Sequence, residues 1–303
     1  MDQLRSILVG VDFTPGSATA LAQAIRIAKW NRAQLHVVHA IDPLVVTDLE
    51  EALTPYTHLA SYAQEMPETL EADARAEWQS FVAEIPGAQD LSIQIIIGHP
   101  VNTLLRQVQE KAADLLVLGT HGTSPDSGTG TLAAACVRRA STKVLLVRQP
   151  QRGPFKTVLV GVDFSDASRE AVDQALRIAA QDNATVHILH VFYGPWHRLH
   201  YRAPTLEADP DFQKQYRATL LRRLEQFCEP ARPEVGWAKP QFHLLDYRSH
   251  GVGLIDFARR IEADLVVLGS RGRTNLRELL LGSTAERVVR DTPCSILVIK
   301  PKD

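Results

Sequence analysis

Short runs of branched apolar residues alternate along this chain with stretches whose apolar positions recur at helical spacing. In the second half the runs lie at 157–162, 185–192, 241–246, 264–269 and 295–299. They lack strict polar alternation, as is typical of strands that are buried on both faces. Amphipathic helical stretches separate them at 167–181, 211–228 and 252–262. This order predicts an α/β fold with a doubly wound parallel sheet and right-handed crossovers.

Prolines and long connections refine this prediction. Pro15 and Pro100 stand where helices would begin, and proline is favoured in the first turn of a helix. The segments 42–86 and 193–234 are longer than plain connections. We therefore expect each of them to hold one amphipathic helix that is preceded by a loop.

The chain contains the same pattern twice. Val9-Gly-Val-Asp12-Phe recurs as Val160-Gly-Val-Asp163-Phe, and Asp114-Leu-Leu-Val-Leu-Gly119 recurs as Asp264-Leu-Val-Val-Leu-Gly269. Each copy spans roughly 150 residues, which is an ordinary domain size and far longer than a solenoid repeat. We predict two domains, at 1–149 and 155–303.

Composition and charge limit the classes of function. The net charge of −2 gives no reason to expect nucleic acid as a partner. Cys136, Cys228 and Cys294 are too few and too scattered for a disulfide framework or a zinc site. No apolar run approaches the roughly 20 residues that a membrane helix needs, and the first run resembles a strand rather than a signal peptide. We expect a cytoplasmic protein that does not bind membranes.

A glycine-rich loop follows the fourth predicted strand of the second half. Gly269 and Gly272 permit positive φ and a close approach of the backbone to a ligand. After nine intervening residues, Gly282 precedes Ser283-Thr-Ala-Glu286, a capping-box pattern whose helix start favours an anion. Three arginines add positive charge to the same loop: Arg271, Arg273 and Arg277. The pattern predicts a phosphate-binding loop.

A carboxylate ends the first predicted strand of the same half. Ligands of doubly wound sheets bind beyond the carboxyl ends of the strands, where the strand order reverses. If the first and fourth strands are neighbours there, Asp163 and Gly269 meet in one cleft, where the carboxylate suits the amine or the hydroxyls of a nucleoside. The alternative is that Asp163 is a turn or capping residue, that the glycines only make turns and that Ser283 only caps its helix.

The combined motifs carry a family resemblance. Gly269-x2-Gly272-x9-Gly282-Ser283 resembles the nucleotide-binding signature of the universal stress protein family. Val160-Gly-Val-Asp163-Phe, Gly98-His-Pro100 and the sequence from Leu280 to Cys294 are also similar to that family. The resemblance covers both halves, so the chain resembles a tandem universal stress protein. It implies five-stranded parallel sheets in the order 3-2-1-4-5 and pairing of domains through their fifth strands, within the chain as a pseudo-dimer or between chains as a homodimer.

The resemblance also implies that the second domain binds ATP, with or without Mg²⁺. Asp163 and the backbone at Val191 would meet the adenosine, and the loop would surround the phosphates. The full set of implied binding residues is Val162, Asp163, Val191, Gly269, Arg271, Gly272, Gly282, Ser283 and Thr284.

The first half departs from the signature. Its loop is two residues shorter, contains Asp126 and has no arginine, and Glu is absent from the helix start after Gly130. We expect weak or no ATP binding there, although another ligand would fit a surviving pocket. The residues of that second pocket would be Asp12, Gly119, Gly122, Gly130 and Thr131.

Three functions remain open. The first is a regulatory, ATP-binding protein of the stress response, and the second is a slow ATPase or nucleotide hydrolase, for which no catalytic residue stands out. The third is a nucleotide-free interaction scaffold. His39 and His190 occupy matching strand positions and are interpreted as core residues, whereas the aromatic segment from Tyr193 to Arg202 would cover the pocket or contact a partner. No clear third metal ligand accompanies His197 and His200, so we predict no metal site.

Overall fold

The computed structural model describes residues 4–43, 60–120, 129–198, 209–229, 239–272 and 281–300, with the backbone alone at 60–66. The chain divides into two compact units, at residues 2–153 and 154–303. These units are called the N-terminal and the C-terminal domain below.

The N-terminal domain alternates strands and helices. Its strands are β1 (Ser6–Gly10), β2 (Gln34–Ile41), β3 (Ile93–Ile97), β4 (Leu115–Gly119) and β5 (Lys143–Val147). Its described helices are α1 (Pro15–Asn31), α2 (Ala60–Ala83), α3 (Pro100–Glu110) and α4 (Thr131–Arg139).

The C-terminal domain repeats this order. Its strands are β6 (Thr157–Gly161), β7 (Thr185–Phe192), β8 (Gln241–Asp246), β9 (Leu265–Gly269) and β10 (Ser295–Ile299). Its described helices are α5 (Asp166–Asp182), α6 (Pro210–Cys228), α7 (His250–Arg260) and α8 (Ser283–Asp291), with a short 3₁₀ turn at Pro195–Arg198.

The predicted fold class is confirmed in both domains. Within each domain the strands are parallel and lie in the order 3-2-1-4-5, which is β3-β2-β1-β4-β5 in one and β8-β7-β6-β9-β10 in the other. The order reverses between β1 and β4, and between β6 and β9. Ligands of such sheets bind at this point, so each domain has one predicted location for a site.

The central strands form the core of each domain. Ile7, Leu8 and Val9 of β1 have no exposed surface, and neither have Leu159 and Val160 of β6. Burial on both faces explains why these runs show no polar alternation in the sequence. The helices begin as the proline positions predict: Pro15 and Pro100 are the first residues of α1 and α3.

Some element boundaries differ from those expected. Strand β6 ends at Gly161 rather than at 162, and α7 begins at His250 rather than at 252 because Ser249 already has the extended backbone of an N-cap. The helices that were expected within the two long segments are confirmed as α2 and α6. The stretches at 44–59 and 199–208, which hold much of the expected loops, lie outside the described residues.

Candidate functional site

A cavity of about 390 Å³ lies at the carboxyl ends of β6 and β9. These two strands pair directly, so the predicted meeting of Asp163 and Gly269 in one cleft occurs in the structure. All nine residues of the predicted binding set line the cavity: Val162, Asp163, Val191, Gly269, Arg271, Gly272, Gly282, Ser283 and Thr284. His190, His250, Ser270 and several apolar side chains complete the wall.

Asp163 is held by the turn that follows β6. Its Oδ1 accepts hydrogen bonds from the backbone N–H of Ser165, at 3.0 Å, and from the Ser165 hydroxyl. Phe164 has a left-handed backbone with φ 66°, which is costly for a side chain of this size. This conformation turns the chain sharply at the end of the strand. One carboxylate oxygen of Asp163 therefore stabilises the turn, as expected if Asp163 is a turn residue. Its other oxygen points toward Gly272.

Gly272 is required by its contact with Asp163. A Cβ atom built on Gly272 would lie 2.7 Å from Oδ2 of Asp163, closer than real Cβ contacts come. Neither loop glycine uses the positive φ that glycine permits, since Gly87 is the one glycine of the described residues with a φ in that range. Gly269 instead lacks a side chain because a Cβ there would lie 2.8 Å from Cβ of Ala167, at the start of α5.

The start of α8 differs from the predicted capping box. Gly282 is the N-cap and Ser283 the first helical residue, and no side chain accepts a hydrogen bond from the first turn. Gly282 is fixed from both sides, because its N–H donates to the Ser270 carbonyl and its carbonyl accepts from the Glu286 N–H, both at 2.8 Å. The first N–H groups of an α-helix have no partner within the helix, so this start still offers donors to an anion in the cavity.

Two cations lie on this side of the site. Arg271 lines the cavity, and Lys300 directly follows β10. Burial of the ammonium, and after it the charge of Arg271, lowers the pKa of Lys300 to about 8. Two neighbouring cations that destabilise one another would both be stabilised by a bound anion. Sequence reasoning missed Lys300, which lies beyond the signature, while Arg273 and Arg277 fall outside the described residues.

Ser270 adds a buried polar atom to the cavity wall. The residue is 2% exposed, and its hydroxyl has no hydrogen-bond partner within the described structure. A buried hydroxyl without a partner costs free energy, and a polar ligand group can remove that cost. In the sequence, the only indication of a role for Ser270 is its position between Gly269 and Gly272.

The histidine on β7 has a role that the sequence did not show. Nδ1 of His190 lies 2.8 Å from the Val162 carbonyl oxygen, and its ring packs on Phe164 with centroids 4.6 Å apart. Its hydrogen bond agrees with the interpretation as a satisfied residue, but the ring is half-buried and lines the cavity. Desolvation is the main cause that lowers the pKa of His190.

The N-terminal domain has a matching cavity of about 280 Å³. Four of its five predicted residues line it: Asp12, Gly119, Gly130 and Thr131. The fifth, Gly122, lies outside the described residues. Asp12 repeats the turn of Asp163, because its Oδ1 accepts from the N–H of Thr14 at 3.2 Å and from the Thr14 hydroxyl.

Two residues of the aromatic segment after β7 bind a carboxylate outside the cavity wall. Nε1 of Trp196 donates to Asp246 at 3.0 Å, and His197 lies 2.9 Å from the same carboxylate. Neither side chain lines the cavity, so the predicted cover over the pocket is not formed by these two residues. His200 lies outside the described residues, and within them no three potential ligands are grouped around a metal position.

Comparisons with known proteins agree with the repeated fold. The model of the universal stress protein family matches residues 3–148 and again 154–300. The sequence is 28% identical to universal stress protein Rv2623 of Mycobacterium tuberculosis, across 97% of this chain and 96% of that protein. The crystal structure of a universal stress protein from Archaeoglobus fulgidus superposes with a TM-score of 0.61 at 16% identity, covering 97% of this chain and 98% of the other.

A second Archaeoglobus fulgidus universal stress protein has been solved in complex with dAMP. It is 19% identical and covers 48% of this chain and 99% of its own, with a TM-score of 0.35. No helix in the described parts of this chain combines the length and the apolar character needed to cross a membrane.

Proposed function

The chain belongs to the universal stress protein family, and we propose that its C-terminal domain binds ATP in the 390 Å³ cavity. The adenosine would lie against Asp163 and the backbone of Val191, and the phosphates would lie at the start of α8. The adenine is implied by the family signature in the loop.

One observation carries the proposal: the carboxylate and the helix start face the same cavity across the point where the strand order reverses. Asp163 accepts hydrogen bonds, which suits ribose hydroxyls, whereas an anion would be repelled by it. The N–H groups at Ser283 and Thr284 can only donate, which suits phosphate oxygens. The two ends of the cavity thus match the two ends of a nucleotide.

The charges and the spare donor support a phosphate at the α8 end. Arg271 contributes a guanidinium to the wall, and Lys300 is a nearby cation whose pKa is lowered by burial and by the charge of Arg271. The Ser270 hydroxyl is a further buried donor in the same wall. A Mg²⁺ ion would enter with the nucleotide and neutralise part of its charge.

The role that we propose for bound nucleotide is regulatory, in a cytoplasmic stress response. ATP would connect Asp163, which follows β6, to the first turn of α8 across the cavity. It changes the protein only to the extent that it binds two conformations with different affinity. The physiological role is inferred from family membership, and it depends on nucleotide binding being present.

Native mass spectrometry of gently purified protein, followed by calorimetric titration with ATP, tests the proposal. We expect one ATP per chain and a loss of at least about tenfold in affinity in Gly282→Val. A Cβ on Gly282 makes only an ordinary contact, 3.4 Å from the Ser270 carbonyl oxygen, so this variant keeps its fold and blocks the approach of phosphate.

Gly130→Val is the matched control in the N-terminal domain. A Cβ there lies 3.2 Å from the Thr120 carbonyl oxygen, so its thermal stability is measured alongside. ATP affinity equal to the parent's in Gly282→Val contradicts the assignment of the loop. Two ATP molecules per chain show that the shorter first loop also binds phosphate.

A further inference from the structure

We propose that the cavity of the N-terminal domain is a second ligand site, and that it takes an uncharged nucleoside in place of a nucleotide. The inference rests on the proposed function, because it assumes that the corresponding cavity of the C-terminal domain recognises a nucleoside.

The groups that would hold a nucleoside are present in both cavities. Asp12 occupies the position of Asp163 and is fixed by the same type of turn. Phe13 has the same left-handed backbone as Phe164, with φ 58°. His39 repeats the contact of its counterpart, with Nδ1 at 2.8 Å from the Val11 carbonyl oxygen. The backbone of Ala40 lines the cavity at the position of Val191.

Two side chains of the wall are replaced by apolar ones, while the backbone N–H groups at the start of α4 remain. Leu132 is the second residue of α4, where α8 has Thr284, and Pro100 is the first residue of α3, where α7 has His250. No lysine or arginine is among the described residues that line this cavity. The sequence 121–128 also contains neither, and it carries Asp126. A phosphate in this wall would lie against leucine and proline, and no cationic side chain is among the described lining residues, which makes burial of its charge unfavourable.

The exposure of the Leu132 side chain is a second reason to expect an uncharged ligand. This residue is 37% exposed and is one of three large apolar side chains with this much exposure in the described parts of the chain. It lines the cavity together with Leu104 and Leu118. Covering such a surface releases water from apolar groups and favours binding. An uncharged nucleoside can cover it and still offer hydroxyl groups to Asp12.

The inference is tested by calorimetry with adenosine, AMP and ATP in the full-length chain carrying Asp163→Ala and Gly282→Val. These two changes remove both ends of the C-terminal site, so that binding reports on the N-terminal cavity. We expect one adenosine per chain, AMP at least about tenfold weaker, and loss of adenosine binding when Asp12→Ala is added. Asp12→Asn keeps an acceptor for the turn and serves as a control in case the alanine variant misfolds. It should also weaken the binding of adenosine.

Leu132→Thr in the same background tests the cause of the selectivity. This change should reduce the ratio of adenosine affinity to AMP affinity by at least about threefold. A purely structural role of Leu132 predicts no change in that ratio. Absence of adenosine binding, AMP or ATP binding as tight as adenosine, or adenosine binding unaffected by Asp12→Ala overturns the inference. The proposal for the C-terminal site is read separately, from ATP binding to the chain that carries Asp12→Ala alone.

Discussion

The two cavities of this chain share one set of wall residues, called the floor here, and differ in another set, called the rim. Each has a carboxylate after the first strand of its domain, a glycine at the end of the fourth strand and a glycine-capped helix start. The rims differ at His250 and Thr284, whose counterparts are Pro100 and Leu132. The floor belongs to the fold, whereas preference for charge depends on a few rim positions that can change without disturbing the sheet.

A second comparison concerns the third strand of each domain. Ile97 at the end of β3 packs with Leu70 and Phe13 against an apolar cluster. Its counterpart in register, Asp246 at the end of β8, is 10% exposed through its side chain. Asp246 accepts from the N–H of Gly194 and binds Arg217 at 3.2 Å. The same place in the fold is thus filled by an apolar cluster in one domain and by a polar one in the other.

The largest expected effect comes from removing the carboxylate at the end of β8. Asp246→Ala leaves the donors of Gly194 and Trp196 without their acceptor, so we expect a loss of about 2–3 kcal/mol in the free energy of unfolding. Ile97→Ala, its counterpart, removes only part of a half-buried side chain and should cost about 1–2 kcal/mol. Urea denaturation of the full chain measures both, and a larger loss for Ile97→Ala contradicts the importance of the carboxylate.

The next effect removes the difference between the rims. His250→Pro with Thr284→Leu gives the C-terminal cavity the rim of the other domain, and ATP affinity should fall by at least about tenfold. Proline is tolerated at the first residue of a helix, and Ser249 before it is already extended, with φ −108° and ψ 110°. Calorimetry with ATP and adenosine checks this prediction, because only the affinity for ATP should drop. Equal loss for both ligands contradicts the assignment of phosphate to this rim.

The smallest effect uses the titration of Lys300, whose pKa is about 8. A bound polyphosphate favours the protonated ammonium, so above that pKa binding must also take up a proton. ATP affinity should therefore fall as the pH rises from about 7.5 to about 9, by less than about tenfold.

Lys300→Gln should remove most of this pH dependence and weaken binding at the lower pH. The counterpart of Lys300 in the N-terminal domain is Arg148. Calorimetry at both pH values gives the measurement. An unchanged pH profile in Lys300→Gln shows that another group is responsible.

Much of the fold and of the site follows from the sequence for identifiable reasons. Buried strands and proline-started helices gave the element order, and the repeat around Asp12 and Asp163 located both cavities. The sequence did not show why Gly269 and Gly272 are glycines, since the reason is contact with α5 and with Asp163 rather than backbone conformation. Lys300 was invisible because its importance arises from burial and from Arg271, which are properties of the folded chain.

The left-handed turn after the first strand also bears on the common origin of the two domains. Phe13 and Phe164 each bear about 1–2 kcal/mol of backbone strain, which glycine or asparagine would relieve. Both rings pack on a histidine and meet a second phenylalanine edge-on, with centroids 5.5 Å apart in each domain. Independent origin of so specific a strained arrangement is far less economical than inheritance. The shared turn therefore supports descent of both domains from one ancestral domain, whose two copies now differ at the rim.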